Sequence, residues 1–380
     1  MRHGQSEFVR IANRLQQEQA AAHAIIGDVR RNPSAYLDFP VPEEWKTAGM
    51  VQELTEAAHE LRQQSPEKSA ALAKLATMIA DELDESYPRV LRAQFSASAW
   101  KEVANTLRYR SDYEAALRAL DRAEQELENE TALGYDRAVL ALARATTLRE
   151  LDRLPEALRL LDPAMDVFRE HGDRSRVAQC ELLAGMIHHR QGNAPFARAS
   201  YRVAADVAQD SGDVSTVASA YINLGVLDAE RGRVNDALDA LQQARAIFIE
   251  LGAHAEVARA SWGVGLALLT AGKSEASISV LQEARIAFRA LQMPEEAGLA
   301  GVELVEAYLA TERRDSARDM LHAVIDEFRD AKLNERALVA LAYLRDLGPA
   351  AQPAAAHHVY SYLFRLRTEP QLLFLPPDAQ

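Results

Sequence analysis

The sequence predicts an all-α fold built from a repeated two-helix unit. Three observations carry this. First, residue types keep step with one period: Ala123, Ala164, Ala204, Ala244 and Ala284 are spaced 41, 40, 40 and 40 apart, and Phe168, Ala208, Phe248, Phe288 and Phe328 are each 40 apart. Second, Gly192, Gly232 and Gly272 follow the same spacing, as do Gly172, Gly212 and Gly252, so two chain reversals fall in every period. Third, the segments between these glycines carry apolar residues at threes and fours, the mark of an amphipathic helix. Of the 380 residues 48% are apolar and 6% aromatic, enough for a large core of mostly small side chains.

In chain order, residues 1–36 read as a long amphipathic helix, with Phe8, Ile11, Leu15, Ala22, Ile25 and Val29 on one face. Its five arginines stand against three carboxylates, although the chain as a whole carries −13. It is read as a cap on the array, as a partner or oligomerisation helix, or as a DNA-binding helix. The last needs a recognition helix after a short turn, and there is no room for one before Pro40 and Pro42. Phe39-Pro40-Val41-Pro42 is a stiff linker, and a weaker helix pair follows over 49–84.

Six clear units come next: 87–130, 134–172, 174–213, 214–252, 254–292 and 294–333. In the fourth, VSTVASAYINLGVLDAE closes at Gly232 and VNDALDALQQARAIFIEL closes at Gly252, because glycine accepts the left-handed conformation that ends a helix. Pro155 and Pro195 suit helix starts, and Asp112, Asn235, Ser274 and Asp315 suit the N-caps of second helices. Gly185, Gly225 and Gly265 fall mid-helix, where they let the partner helix approach, with Ala157, Ala197 and Ala237 opposite. Ala104, Ala145 and Val305 replace that glycine elsewhere, which predicts slightly wider hairpins. Asp162-Pro163 predicts a kink or break in a second helix. A half-unit begins at Asn334, Gly348-Pro349 ends the array, and a short helix follows. There Tyr360, Leu363 and Leu366 are placed to close the last apolar face, and Leu372–Leu375 is too apolar to sit free in water. The domains expected are 1–48, a helix and linker; 49–346, the array; and 347–380, a capping helix and apolar tail.

The spacing Gly225–Gly232–Ala237 within NLGVLDAERGRVNDALDAL resembles the tetratricopeptide signature, and Gly185–Gly192–Ala197 repeats it. Gly265–Gly272–Ala276 is one residue shorter, and Trp100, Ala104 and Tyr113–Ala116 fit a first unit without its glycines. The usual period is about 34, so a period of 40 implies a longer-armed variant such as some bacterial sensors and adaptors use. The resemblance implies a right-handed α-solenoid whose first helices line a concave groove. The stretch from Trp45 through Leu120 also resembles bacterial tetratricopeptide proteins found beside extracytoplasmic-function sigma factors.

Chemistry is absent from the pattern. There is no phosphate loop and no nucleophile elbow. Gly263-Val264-Gly265 lies inside a helix rather than after a strand, against a dinucleotide site. The adjacent pairs His188-His189 and His357-His358 diverge by about 100° on a helix and are poor chelates. Cys180, the one cysteine, sits among apolar neighbours. The chain is therefore expected to be non-catalytic, without cofactor or metal. Its net charge speaks against a global nucleic-acid footprint. No apolar run suits a membrane span and MRHGQSEFVR is unlike a secretory signal, so a cytoplasmic protein is expected.

What remains is the groove. Projection of the repeat onto it selects Lys101, Asn105, Arg108, Arg149, Met186, Arg190, Asn223, Arg259 and Trp262 as contacts for a peptide or protein segment. Five of these are cations in an acidic chain, and a cationic groove concentrates carboxylates and binds them bidentately through arginine. The partner expected is an acidic segment or a C-terminus, bound by an adaptor or scaffold in bacterial signalling. The alternative is a peptide-sensing or sigma-factor-linked regulator acting through the N-terminal helix. Lys101-x-x-x-Asn105 resembles part of the carboxylate clamp of some tetratricopeptide proteins, but Leu182 and Met186 stand where the rest would be basic. Asn105 and Asn223 offer amides to a ligand backbone. Trp262 is either a hot spot on the groove or packs between neighbouring first helices. A homodimer through the terminal segments is also expected.

Overall fold

The computed structural model describes residues 2–62, 64–331, 333–366, 369 and 371–377, with side chains from residue 9 onward. The side chain of Phe8 and residues 378–380 of the tail therefore lie outside the described residues. Among those described there is no strand, and the chain is an all-α solenoid of tetratricopeptide-like hairpins. It forms two compact units, Met1–Gly172 and Asp173–Gln380.

In the first unit, α1 (Arg2–Arg31) precedes three hairpins: α2 (Ala48–Leu61) with α3 (Pro66–Asp81), α4 (Arg89–Tyr109) with α5 (Tyr113–Leu127), and α6 (Gly134–Glu150) with α7 (Leu154–Glu170). The second unit has four hairpins: α8 (Arg174–Arg190) with α9 (Ala194–Ser211), α10 (Val214–Glu230) with α11 (Val234–Glu250), α12 (His254–Thr270) with α13 (Ser274–Ala290), and α14 (Pro294–Ala310) with α15 (Arg314–Asp330). Two single helices follow, α16 (Glu335–Asp346) and α17 (Pro353–Leu366).

The repeating residues are the second-helix core. Ala123, Ala164, Ala204, Ala244 and Ala284 are buried, and so are Phe168, Ala208, Phe248, Phe288 and Phe328. Burying one such phenylalanine stabilises by about 1.5–3 kcal/mol. The mid-helix glycines lie where a Cβ would strike the second helix: a Cβ at Gly185 would come within 2.5 Å of the Tyr201 ring, one at Gly225 within 2.5 Å of the Leu241 side chain, and one at Gly265 would meet Leu281. The sixth unit, with Val305 in that column, achieves close approach elsewhere on α14, at Gly298 against Phe328 and Gly301 against Val324.

The turns are one device used repeatedly. Each first helix from α4 to α14 ends on a residue with positive φ, followed by an amide that reaches back to close the last turn, as Arg233 N does to Asp228 O at 2.8 Å. Gly192, Gly232 and Gly272 hold that position at φ of 71–76°, while Ser111, Asp152 and Glu312 hold it in the other units at 58–59°. This geometry corrects the expected caps. Asp112 does cap α5, accepting from Ala115 N at 3.2 Å. Asn235 and Asp315, however, stand at the second helical position and Ser274 at the first, because the closing residue itself (Arg233, Lys273 or Arg313) is the N-cap. Side-chain caps start first helices instead: Asp173 accepts from Arg176 N, and Asp213 from Thr216 N, both at 3.0 Å.

Helix α7 runs unbroken through Pro163, so the expected break does not occur. Pro163 lies on the exposed face, where the carbonyl it frees can turn to water. At the start of the chain, α1 stops at Arg31, two residues before Pro33, and a 3₁₀ turn covers Pro33–Tyr36. Ala22, Ile26 and Val29 of α1 are buried in one core with Met50, Val51 and Leu54 of α2. A polar clamp sets the crossing: Tyr87 Oη donates to Glu18 Oε1 at 2.7 Å, and Arg14 bonds Glu18 at 2.6 Å while lying over the Tyr87 ring. Gly49 is required there, since a Cβ would collide with the backbone of Glu18 and Gln19.

At the far end, α17 does not pair with α16 as a hairpin partner; it packs chiefly on α14. Val359, Leu363 and Leu366 are buried in that core, and Tyr360 packs at its margin. The apolar tail docks on alternate residues: Leu372 and Phe374 pack inward, Phe374 edge-on to Tyr362, while Leu373 and Leu375 stay exposed.

Candidate functional site

Second helices cover one side of the first helices α4 to α12 and leave the opposite side half-exposed. All nine sequence-selected residues lie on first helices, and all are half-buried.

In the first unit this side forms a cleft of about 410 Å³ between α2, α4 and α6. Gln52, Thr55, Glu56 and His59 line it from α2, Lys101 and Glu102 from α4, and Asp136 from α6. Its wall holds a buried ion pair, Arg62 to Glu102 at 2.8 Å, and Glu102 also accepts from Asn105 Nδ2 at 3.1 Å. Asn105 thus serves the wall and is not among the residues that line the cleft. Arg62 also meets the His59 ring nitrogen. Burial, then the Arg62 guanidinium, pushes His59 below its ordinary value. Arg108 stacks over Tyr109 at 5.0 Å, and burial lowers its pKa. Arg149 ion-pairs with its neighbour Glu150.

In the second unit the exposed side carries two apolar columns, each advancing by one period per helix. Leu182, Ile222 and Trp262 form the first, and Met186, Val226 and Leu266 the second, all half-buried. Met186 packs against the core around Tyr201 and Leu224. Asn223 donates to Ser219 O at 2.8 Å along its own helix. Arg259 lies 3.4 Å from Glu256 and 3.7 Å from Glu296. Arg190 sits half-buried at the last turn of α8, beside His189, which meets Glu230 at 2.8 Å. Carboxylates therefore accompany several of the cations on both units. Trp262 bridges neighbours: its ring stands edge-on to Phe288 at 5.8 Å, and its Nε1 donates to Glu303 of α14.

Three polar groups escaped the sequence reading: the Arg62–Glu102 pair, and Glu303, which is 1% exposed. Burial pushes the Glu303 carboxyl up to about 8, the Trp262 N–H pulls it back, and the Glu306 charge adds to the rise. The signal was present, since Glu303 continues the column Leu183, Asn223, Gly263 and is its one carboxylate. Among the described residues no group of His, Cys, Asp and Glu is placed to hold a metal ion, and no helix is long and apolar enough to cross a membrane. Cys180 is buried.

Residues 136–210 and 216–290 match the tetratricopeptide repeat family. No curated protein matches the chain. Among solved structures, a Rap protein complexed with competence and sporulation factor matches at a TM-score of 0.59 and 14% identity, over 94% of this chain and 98% of that one. The Rap conjugation gene regulator of plasmid pLS20, in complex with the Phr* peptide, matches at 0.56 and 15%, over 84% and 96%. Aspartyl phosphate phosphatase F from Bacillus subtilis matches at 0.52 and 14%, over 86% of each chain. At these identities the likeness is one of fold. The sigma-factor association has no counterpart among these matches.

Proposed function

We infer that this tetratricopeptide-like repeat protein is a non-catalytic adaptor or regulator that holds a protein or peptide segment on the open side of its first helices. The observation that carries the reading is the pair of half-exposed apolar columns on α8, α10 and α12, flanked by Arg190 and Arg259. Apolar surface in ordered columns with charges at its margin suits an extended or helical ligand. Of the structures of like fold, one is a complex with a peptide, Phr*, and another a complex with competence and sporulation factor, which supports the same reading. On the second unit Met186 and Trp262 would meet apolar side chains, Asn223 a backbone amide, and Arg190 and Arg259 carboxylates. On the first unit Lys101, Asn105, Arg108 and Arg149 would play the polar part at the α4 and α6 surface. An acidic segment or a free C-terminus fits these cations once it displaces Glu150 from Arg149 and Glu256 from Arg259.

The test is affinity capture from the source lysate with wild type and the Arg149→Glu/Arg190→Glu/Arg259→Glu variant, with bound proteins identified by mass spectrometry. A partner held by wild type and lost by the variant supports the reading. A partner held equally by both moves the binding surface away from the first helices.

A further inference from the structure

The two apolar columns do not end at α12. One period further on they reach Val302 and Glu306 of α14, and there the surface is covered. Val302 is fully buried in one core with Val359 and Leu363 of α17, and Glu306 Oε2 lies 3.2 Å from His357 Nδ1. Glu303, between them, faces Tyr360 of α17 on one side and Trp262 on the other. Helix α17 thus lies on the open side of the first helices, on the positions a bound segment would use, rather than in the place of a second helix beside α16.

We propose that the open side of the second unit is a helix-binding groove, that α17 is its exchangeable resident, and that its partner is an amphipathic helix with an apolar face and one cation opposite Glu306. The inference rests on the reading of the first helices as a binding surface and names the partner's form. The seat of α17 defines the partner that replaces it, since binding requires the place opposite Glu306 that α17 holds. Val359 and Leu363 of α17 fill it, and His357 answers its carboxylate. The open columns continue this interface without a break in register, from Trp262 back to Leu182. Exchange for an equivalent helix conserves the apolar burial, so displacement does not require the core to stay uncovered. The chain between α16 and α17 is a short turn with the 3₁₀ segment Gly348–Ala350, which Arg314 Nη1 holds at Pro349 O (2.7 Å), so exchange of α17 would pivot beyond that anchor and leave α16 in place.

The probe is a fluorescein-labelled synthetic peptide of residues 353–366, titrated against the full chain and read by anisotropy. His357→Glu sets a second carboxylate against Glu306 and loosens α17. It should bind the peptide at least about tenfold tighter than wild type. As a second variant, Glu306→Cys with His357→Cys tethers α17 when oxidised, Cys180 being buried. The oxidised form should not bind the peptide, and reduction should restore binding. Equal binding by the oxidised and reduced forms overturns the proposal, as does no binding by either His357→Glu or the reduced form. If His357→Glu instead forms dimers that exclude the peptide, the occupant is a second copy of this chain and the partner proposed here is wrong. The arginine reversal tests the broader reading independently, because its three positions lie on α6, α8 and α12 and not on α14 or α17.

Discussion

At the residue scale, backbone conformation decides more than side-chain identity. Asp152, Gln292 and Glu312 occupy left-handed turn positions that glycine fills in the neighbouring units. An L side chain there costs about 1–2 kcal/mol, part of which glycine returns as chain entropy. Asp152→Gly, Gln292→Gly and Glu312→Gly should each raise stability by roughly 0.5–1 kcal/mol, seen as a higher urea midpoint at unchanged slope. Gly49 lies at the other extreme. A methyl there meets backbone, which cannot yield, so Gly49→Ala should cost more than about 3 kcal/mol. At Gly225 the first obstacle is the Leu241 side chain, and the same change should cost less. Glu303 adds a pH signature. Its folded value, about 8, lies above the ordinary 4.5, so the folded state holds the proton longer. The stability tied to that proton is complete below the unfolded value and is lost as pH rises towards 8. His357, raised first by its hydrogen bond to Glu306, acts in the same direction above its ordinary 6.5. The melting temperature should therefore fall between about pH 5 and 8, and Glu303→Gln should flatten that fall. An equal slope in the variant would remove Glu303 as its cause.

At the element scale, helices here tolerate local faults when tertiary packing holds both flanks. Helix α7 keeps its course through Pro163 because Leu161, Ala164 and Phe168 are all buried around it. An interior proline costs about 3 kcal/mol, so Pro163→Ala should stabilise by roughly 1–3 kcal/mol, measured as a shift in the denaturation midpoint. Helix α1 is bound by core and clamp together. Loss of residues 1–36 removes Ala22, Ile26 and Val29 from the core and strips Tyr87 and Gly49 of Glu18. Hydrogen exchange in α2 and α3 should then accelerate, while α12–α15 in the other compact unit keep their protection. Unchanged exchange in α2 and α3 would mean that α1 is not a structural cap.

At the scale of the whole molecule, what was legible in the sequence was what repeats. The alanine, phenylalanine and glycine columns meet the same neighbour in each hairpin, so one spacing encodes both the helices and the turns. The caps of α11, α13 and α15 were misplaced because a left-handed turn puts its closing residue, not the next polar one, at the cap. The nine residues expected as contacts lie on first helices, since that follows from the period. Their charge environment was not legible: Glu296 answers Arg259 from the next first helix, and only folding brings the two together. The seat of α17 lay further out of reach, for it belongs to no repeat and its register on α14 is set by Glu303 and Glu306.

In the proposed function the first helices bind and the second helices support them. Hydrogen exchange of the captured complex against the free protein tests it most directly, each compact unit being read separately. New protection is expected on α8, α10 and α12, centred on Met186, Asn223 and Trp262, with α9, α11 and α13 unchanged. Protection confined to the second helices, or none on the first helices of either unit, would contradict it.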